Sequence, residues 1–517
     1  MKTKSISAIT AILYSFLLYQ QGAGINVLLL NIMLLGVLYF LHKEKSKNTY
    51  TYLFAIGAIV SAIFVAVHGH SLAIITNIVS LIFLSVNLHL QNASVASLLV
   101  QGIYAYTTSP IHKLLLLFQK KEESSEGETE KPMGINKTAI VLISSLVFIL
   151  FISFYRHMSA GFNEFILNLN FDFISIPVLF HYAIGAVLLG TFFRPYILQQ
   201  LEAREGNKKI HLNYKTFTAY SFTGLNITED TEKLLAKVIF IGLNLLLLLV
   251  NIFDTEFIVT RKLPENMSYS EYVHQGVGAL IWSILLAIAV ILWVFRGSQN
   301  FNTNNSIKNL SYVWIGLNLW LVVSAAIRNH MYISEYDLFT YKRIGVYVFL
   351  FCATIGLALT FVKIRYKLSN YFLVRTNTLV WYVLLVCSVS INWDKAIASH
   401  HLSQAIANNR EADINYVCSL SYQAYPSVVS YLVNQSKKNA TNTVQIDNGQ
   451  NYYLISNLID NLAIRDINYN WKSYNYARCK TYRELDELIH PIAEQLPNQS
   501  ATHYLNIFAS FRNPFNF

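Results

Sequence analysis

Apolar residues gather in long runs along most of this chain, separated by short polar breaks. Eleven runs stand out, at approximately residues 6–19, 25–41, 51–67, 72–90, 138–155, 173–193, 234–252, 273–295, 310–326, 344–362 and 372–391. They lack the polar face that a helix of a water-soluble protein keeps, so each predicts a membrane-crossing helix. Several fall short of the roughly 20 residues that cross a bilayer untilted. The stretch 95–106 is apolar but shorter, and predicts an interfacial helix in place of a span. Lys2 and Lys4 precede the first run as they would in a secretion signal. No small-residue cleavage site leads from it into a soluble domain, so it predicts a retained span.

Beyond residue 392 the pattern changes. Helical periodicity over 395–409, 413–434, 452–464 and 481–495, with an Asn/Ser/Gly-rich break at 434–450, predicts a small helical extramembrane domain. The expected fold class is therefore all-α: a polytopic transmembrane helix bundle of about eleven spans over 1–392, then a helical C-terminal domain over 393–517. The closing Phe515-Asn516-Phe517 reads as a frayed aromatic end.

Composition agrees with a membrane protein. Of 517 residues 54% are hydrophobic and 13% charged, about half the charge density of a soluble domain. The 33 Tyr and 32 Phe suit helices that cross lipid–water boundaries. A net charge of +10 invites a nucleic-acid reading, but the basic residues form no single stripe, and no nucleic-acid partner is expected. They fall instead in alternate loops, twenty-three in one set (such as Lys43, Lys120, Arg204, Lys233 and Arg365) against six in the other (Arg156, Arg261, Lys262, Arg328, Lys342 and Arg343). The rich set marks the cytoplasmic side, which puts the N-terminus inside. An odd number of spans then puts the C-terminal region outside. Of the cytoplasmic loops, 119–137 is highly charged and expected to be disordered, and 194–233 is long and mixed. Neither carries GxGxxG or GKS/T.

Three stretches carry a resemblance to a known family. They are Tyr269-Ser270-Glu271-Tyr272-Val273-His274-Gln275-Gly276, then Ser334-Glu335-Tyr336-Asp337-Leu338-Phe339-Thr340-Tyr341-Lys342-Arg343, then Asn392-Trp393-Asp394-Lys395 leading to Asp413-Ile414-Asn415-Tyr416-Val417-Cys418 and Ala424-Tyr425-Pro426. In these the C-terminal half resembles a bacterial multi-pass membrane family of unknown function, domain 4173, related to 4153. Asp337-Leu338-Phe339-Thr340 stands where that family pattern leads one to expect a glycine-containing turn. The resemblance implies a bacterial inner-membrane location and transfers no activity.

Candidate chemistry is sparse. Ser-Glu-Tyr occurs at 270–272 and 334–336, each just outside the start of a span, where it serves either as helix capping or as part of an outward polar site. The second option makes Glu271, His274, Glu335 and Asp337 catalytic candidates, since carboxylates beside a histidine suit acid–base work if they converge. Arg328, His330 and Arg343 are binding candidates on the same face. His181, the one ionisable residue placed near the middle of a span, is a further binding candidate, serving as polar glue or as a proton relay. Asn31, Asn244 and Asn318 read as interhelical hydrogen-bonders. His68-Gly69-His70 reads as a solvated turn, and the adjacent His400 and His401 point about 100° apart on a helix. No metal and no cofactor is expected. Cys352 and Cys387 lie in apolar runs, whereas Cys418 and Cys479 can form a disulfide if their region faces an oxidising compartment.

Three functions remain open: a non-enzymatic envelope scaffold or sensor, a transporter of a lipid-like or apolar solute, and a membrane-embedded transferase at the outer face. Partners beyond the lipid bilayer are expected among envelope proteins met by the C-terminal region. Span interiors nearly free of charge argue against ion-coupled transport.

Overall fold

The computed structural model describes residues 2–118 (apart from 45, 46 and 92), parts of 144–164, 176–198, 200–201, 210–211, 229–261, 269–295, 305–441, 448–465 and 470–495. The expected span at 138–155 falls largely outside these residues. So do the loop 119–137, most of 194–233, and Phe515–Phe517. The helices described up to residue 388 include α1 Lys2–Leu18, α2 Ile25–Leu41, α3 Thr49–His68, α4 Ser71–Asn87, α5 Val95–Phe118, α6 Ile176–Phe193, α7 Glu229–Thr260, α8 Tyr269–Val294, α9 Asn305–Tyr336, α10 Tyr341–Tyr366 and α11 Asn370–Ser388. Among the described residues, five stretches (49–68, 230–260, 306–336, 341–366 and 370–388) are long and apolar enough to cross a membrane, and five shorter apolar helices accompany them. Among the described residues there is no strand, only an isolated bridge between His211 and Leu368.

Large apolar side chains face outward from these helices, Phe40 at 77% exposure and Val259 at 76% among them. Water does not tolerate such a surface at this density, whereas lipid does. Helices α7 and α9 each have 32 residues, about 48 Å at 1.5 Å per residue, well beyond a hydrocarbon core of about 30 Å. Hydropathy sees only their apolar middles. The α7 helix continues through Glu229-Asp230-Thr231-Glu232 at its amino end, where acidic side chains favour the helix dipole.

Two apolar cores form side by side. One gathers Leu34, Phe54, Phe83, Leu84 and Phe193 from α2, α3, α4 and α6. The other gathers Phe240, Ile291, Trp314 and Leu357 from α7 to α10. Helix α11 joins them: it packs on α10, and its buried Tyr382 enters the first core against Phe54 and Phe83 and donates to Ser80 Oγ at 2.9 Å.

Amide side chains tie the helices together. Asn31 and Asn77 exchange hydrogen bonds at 3.1 and 3.0 Å, and Asn77 also donates to the Ala58 carbonyl at 2.8 Å. Asn244 donates to the Leu310 carbonyl and Asn251 to the Leu317 carbonyl, both at 3.0 Å. Donor and acceptor both advance by seven residues, so α7 and α9 run parallel with two rungs between them. Asn318 differs from expectation, donating at 2.8 Å to Trp314 in its own helix. Just past α8, the Phe295 carbonyl accepts from the fully buried Lys363 at 2.9 Å, and the Leu292 carbonyl accepts from Asn370 at 3.0 Å. A cation at a helix carboxyl end meets the negative end of its dipole.

The interfacial stretch expected at 95–106 is part of the longer α5, which continues through Pro110. Its Gln101 and Ser109 bond the segment Tyr196–Leu198 just after α6, at 2.7 to 3.0 Å.

After α11 come α12 Trp393–Ala407, α13 Ile414–Cys418, α14 Tyr425–Thr441, α15 Asn448–Arg465 and α16 Tyr476–Ile489, with 3-10 turns at Tyr422–Ala424, Trp471–Ser473 and His490–Gln495. The single helix expected over 413–434 is split by the 3-10 turn. Pro426 falls in the first turn of α14, where its missing N–H costs nothing. Within the break expected at 434–450, α14 continues to Thr441 and α15 begins at Asn448; 442–447 lie outside the described residues. These helices share an apolar cluster drawn entirely from residues 398–492, including Val428, Val429, Leu432, Ile459 and Leu485.

Gly57 touches the Tyr382 hydroxyl so closely that a Cβ would overlap it, with Ser80 Oγ behind. Gly57→Ala should therefore force Tyr382 out of the first core, at a cost of about 1–3 kcal/mol. A lowered midpoint of thermal unfolding in detergent is the expected readout, with Gly36→Ala, which meets open space, as the neutral control.

Candidate functional site

The polar residues of the chain converge where one end of the bundle meets α12 to α16. The α9–α10 connection provides the first contact. Asp337 sits there with φ +54°, in the left-handed region, and is buried. A glycine adopts this backbone freely, whereas an aspartate does so at some cost. Here the carboxylate is held: Asn408 donates to its two oxygens at 2.9 and 3.0 Å, and Arg410 donates at 3.2 Å. Arg410 also donates to the Glu335 carbonyl at 2.7 Å. Buried His401 of α12 lies between two backbone groups. Its Nε2 accepts from the Asp413 amide at 3.1 Å, so the ring proton is on Nδ1, which donates to the Asp337 carbonyl at 3.0 Å. Tyr341, opening α10, donates to Asp394 Oδ1 at 2.7 Å.

The α3–α4 turn provides the second contact. Gly69 takes φ +65°. His70 Nδ1 accepts from the Ala73 amide at 3.0 Å, leaving Nε2 to donate to the Val389 carbonyl at 3.2 Å. His68 stacks on it and reaches the Ser390 carbonyl at 3.1 Å. The pair read as a solvated turn is thus fastened to the end of α11. Gln423 donates to the His68 carbonyl, and Asn475 to the Val65 carbonyl at 2.8 Å. The same Asn475 caps α16 by accepting from the Arg478 amide.

The third contact is the α1–α2 turn, where the Ile25 amide donates to the Tyr474 carbonyl at 3.0 Å and Lys472 to the Phe16 carbonyl at 2.8 Å. These are helix-end groups that would otherwise lack partners. Between the second contact and α16 lies a cavity of about 330 Å³. Its lining includes His70, Ser71, Asp394, Ser421, Tyr422, Gln423, Arg478 and Tyr482.

All three turns were expected on the same side of the membrane from the distribution of basic residues. The opposite end gathers groups from the other set: the Ser369 amide on the Ile210 carbonyl at 2.8 Å, Lys363 on Phe295, and Arg375 on the Tyr50 hydroxyl at 3.0 Å.

The predicted candidates are distributed unevenly around this joint. Asp337 lies at its centre, held by structural contacts. Glu335 and His330 are exposed on the last turns of α9. Arg343 is buried with its guanidinium 3.5 Å from the centre of the Tyr332 ring, and its carbonyl accepts from Asn329. Glu271 and His274 belong to the first turns of α8, and their side chains lie outside the described residues. His181 is away from the joint, stacked on Tyr14 at 5.0 Å with the Tyr19 edge at 5.6 Å. The candidate disulfide is not formed: no bond joins Cys418 to Cys479. Cys418 packs against the apolar cluster of α12 to α16, and burial pushes its thiol up from the ordinary value.

Arg328 forms an ion pair with Asp254 at 3.1 Å between α9 and α7, and Ser324 donates to the same carboxylate oxygen at 2.8 Å. Both side chains are largely buried. The pair is buried charge between two helices, where the sequence pattern leads one to expect an outward-facing Arg328. The apolar run ends at Ile252, two residues before the first acid, but the helix continues to Thr260. The residues missed by sequence reading are Asp254, Asn408, Arg410, Gln423, Asn475 and Arg478. Asn475 alone had a local signal, an asparagine just ahead of a periodic helix.

A family model described as a domain of unknown function (DUF4153) matches residues 29–431. It covers the α3–α4 and α9–α10 turns and the residues that meet Asp337, and begins after the α1–α2 turn. The matched family is the relative, 4153, of the one that the sequence resembles. No curated protein and no solved structure matches the chain.

Two outcomes follow. Asp337→Ala keeps the left-handed backbone and removes the acceptor of Asn408 and Arg410. It should free α12, raising protease cleavage around residues 408–413, at a cost of about 1–3 kcal/mol. Asp337→Gly relieves the backbone and should lose less. Separately, because burial disfavours the Cys418 thiolate, its alkylation should stay slower than that of a model thiol at pH 8.5 and accelerate at higher pH, as followed by mass spectrometry.

Proposed function

We propose, from the premise that the chain belongs to the DUF4153 family of unknown function, that this protein is a non-enzymatic membrane scaffold or sensor. The bundle, residues 1–392, anchors it, and residues 393–517 form the part that engages an envelope partner. The observation that carries this reading is the use made of the described polar candidates: Asp337, Arg328 and Arg343 hold helices and turns in place. A joint of this kind fixes the C-terminal helices to three separate turns, which suits a part whose position carries information.

The chain is placed in a bacterial inner membrane, with its N-terminus cytoplasmic and its C-terminal helices periplasmic. The basic-residue asymmetry supports this orientation, as does the grouping of the three turns at the end that carries α12 to α16.

A chain ending at residue 392 should still insert in the membrane yet reproduce the phenotype of deleting the whole gene. Joint variants such as His401→Ala should give the same phenotype in the full chain. A truncated chain with full function would overturn the proposal and favour the bundle itself, including the region around Asp254 and Arg328, as a transporter. A reporter active only outside the cytoplasm, fused after Phe517, should be active, and a stable but silent fusion would reverse the orientation.

A further inference from the structure

We propose that the cavity at the joint binds a small zwitterion of the α-amino-acid or short-peptide class, an inference that rests on the sensor reading and gives it a ligand. The cavity volume, about 330 Å³, falls at the lower end of the roughly 300–1,000 Å³ typical of small-molecule sites. Its walls come from both partners of the joint: the His70-Ser71 turn of the bundle, Asp394 of α12, the Ser421–Gln423 segment, Leu462 of α15, and Arg478 and Tyr482 of α16. A ligand here contacts every element whose relative position the joint sets.

The charges of the lining select the chemistry. Arg478 provides a guanidinium, 5.8 Å from the centre of the Tyr482 ring. The amino end of α4, a helix of 17 residues capped by His70, adds the positive end of its dipole. Asp394 provides a carboxylate, oriented by the Tyr341 hydroxyl. A simple anion would meet Asp394 and a simple cation would meet Arg478, each losing solvation beside a like charge. A molecule carrying both a carboxylate and an ammonium satisfies both walls. Leu462 and Tyr482 offer apolar surface for its side chain. The Ser421 hydroxyl is buried there without a hydrogen-bond partner among the described residues, and buried polar groups of this kind are ordinarily satisfied.

The test uses the full chain in lipid nanodiscs. Calorimetric titrations take L-phenylalanine and glycyl-L-phenylalanine as probes, with phenethylamine and 3-phenylpropionate as analogues lacking one charge. At least one zwitterion should saturate a single site, the free amino acid and the dipeptide distinguishing the two ligand sizes. Each single-charge analogue should bind at least tenfold more weakly. Arg478→Gln and Asp394→Asn should each weaken the zwitterion at least tenfold; the asparagine retains an acceptor for Tyr341, so the fold is preserved. No saturable binding at tens of millimolar overturns the proposal, as does equal binding by an analogue or by the variants. In the same samples, a disulfide engineered between Gln21→Cys and Ser473→Cys reports whether the joint is closed. A closed joint without binding sinks this proposal alone, whereas an open joint in the otherwise unaltered chain sinks it together with the docked-scaffold reading.

Discussion

A helix surrounded by lipid gains little by burying apolar side chains against another helix, because the lipid is as apolar as the neighbour. Polar groups inside such a bundle, in contrast, have no water to turn to. The recurring answer here is an amide side chain that donates to a backbone carbonyl of a different helix or turn. Asn77 does this to Ala58, Asn244 to Leu310, Asn251 to Leu317, Asn370 to Leu292, Gln101 to Tyr196 and Asn475 to Val65. Interhelical bonds of this kind contribute about 0.6–2 kcal/mol each. Their value lies as much in register as in energy, since each fixes one carbonyl against one side chain.

The same constraint explains the joint. Helix ends and tight turns leave backbone groups open, and at this end of the bundle α12 to α16 and their connections provide the partners. Gln423 and Asn475 close carbonyls of α3, His401 and Arg410 close carbonyls at the end of α9, and the Tyr474 carbonyl takes the first amide of α2. The apolar cluster of the C-terminal helices is their own, drawn from residues 398–492. Contact with the bundle is therefore chiefly polar, and a polar contact of defined geometry is open to modulation by a ligand at its edge.

Some residues flagged for chemistry are held in structural contacts: Asp337, Arg328 and Arg343. Asp337 combines a left-handed backbone with a carboxylate clamped by Asn408 and Arg410. The departure from a glycine-containing turn thus exchanges backbone freedom for an anchor. Arg328 was read as an outward binding group, but Asp254 turns it into half of a buried pair joining two parallel helices. In isolation the functional and structural uses of such residues look alike, because both require a polar group where polar groups are expensive.

The sequence by itself determined the helical character and the apolar runs that suit a membrane, because these depend on runs and periods that are local in the chain. Its alternating basic loops put the three turns on one side, and all three turns contact the C-terminal helices. Only the tertiary structure decided which polar groups meet. Asp254 and Arg328 are 74 residues apart, Val65 and Asn475 are 410 apart, and no local pattern links such positions. Helix ends were misjudged for a related reason: α7 and α9 continue past their apolar middles into polar sequence, where the helix is held by its neighbours and by its dipole and hydropathy no longer signals it. The cavity at the joint is the extreme case, a space whose walls come from five separate parts of the chain and exist only once all of them are in place.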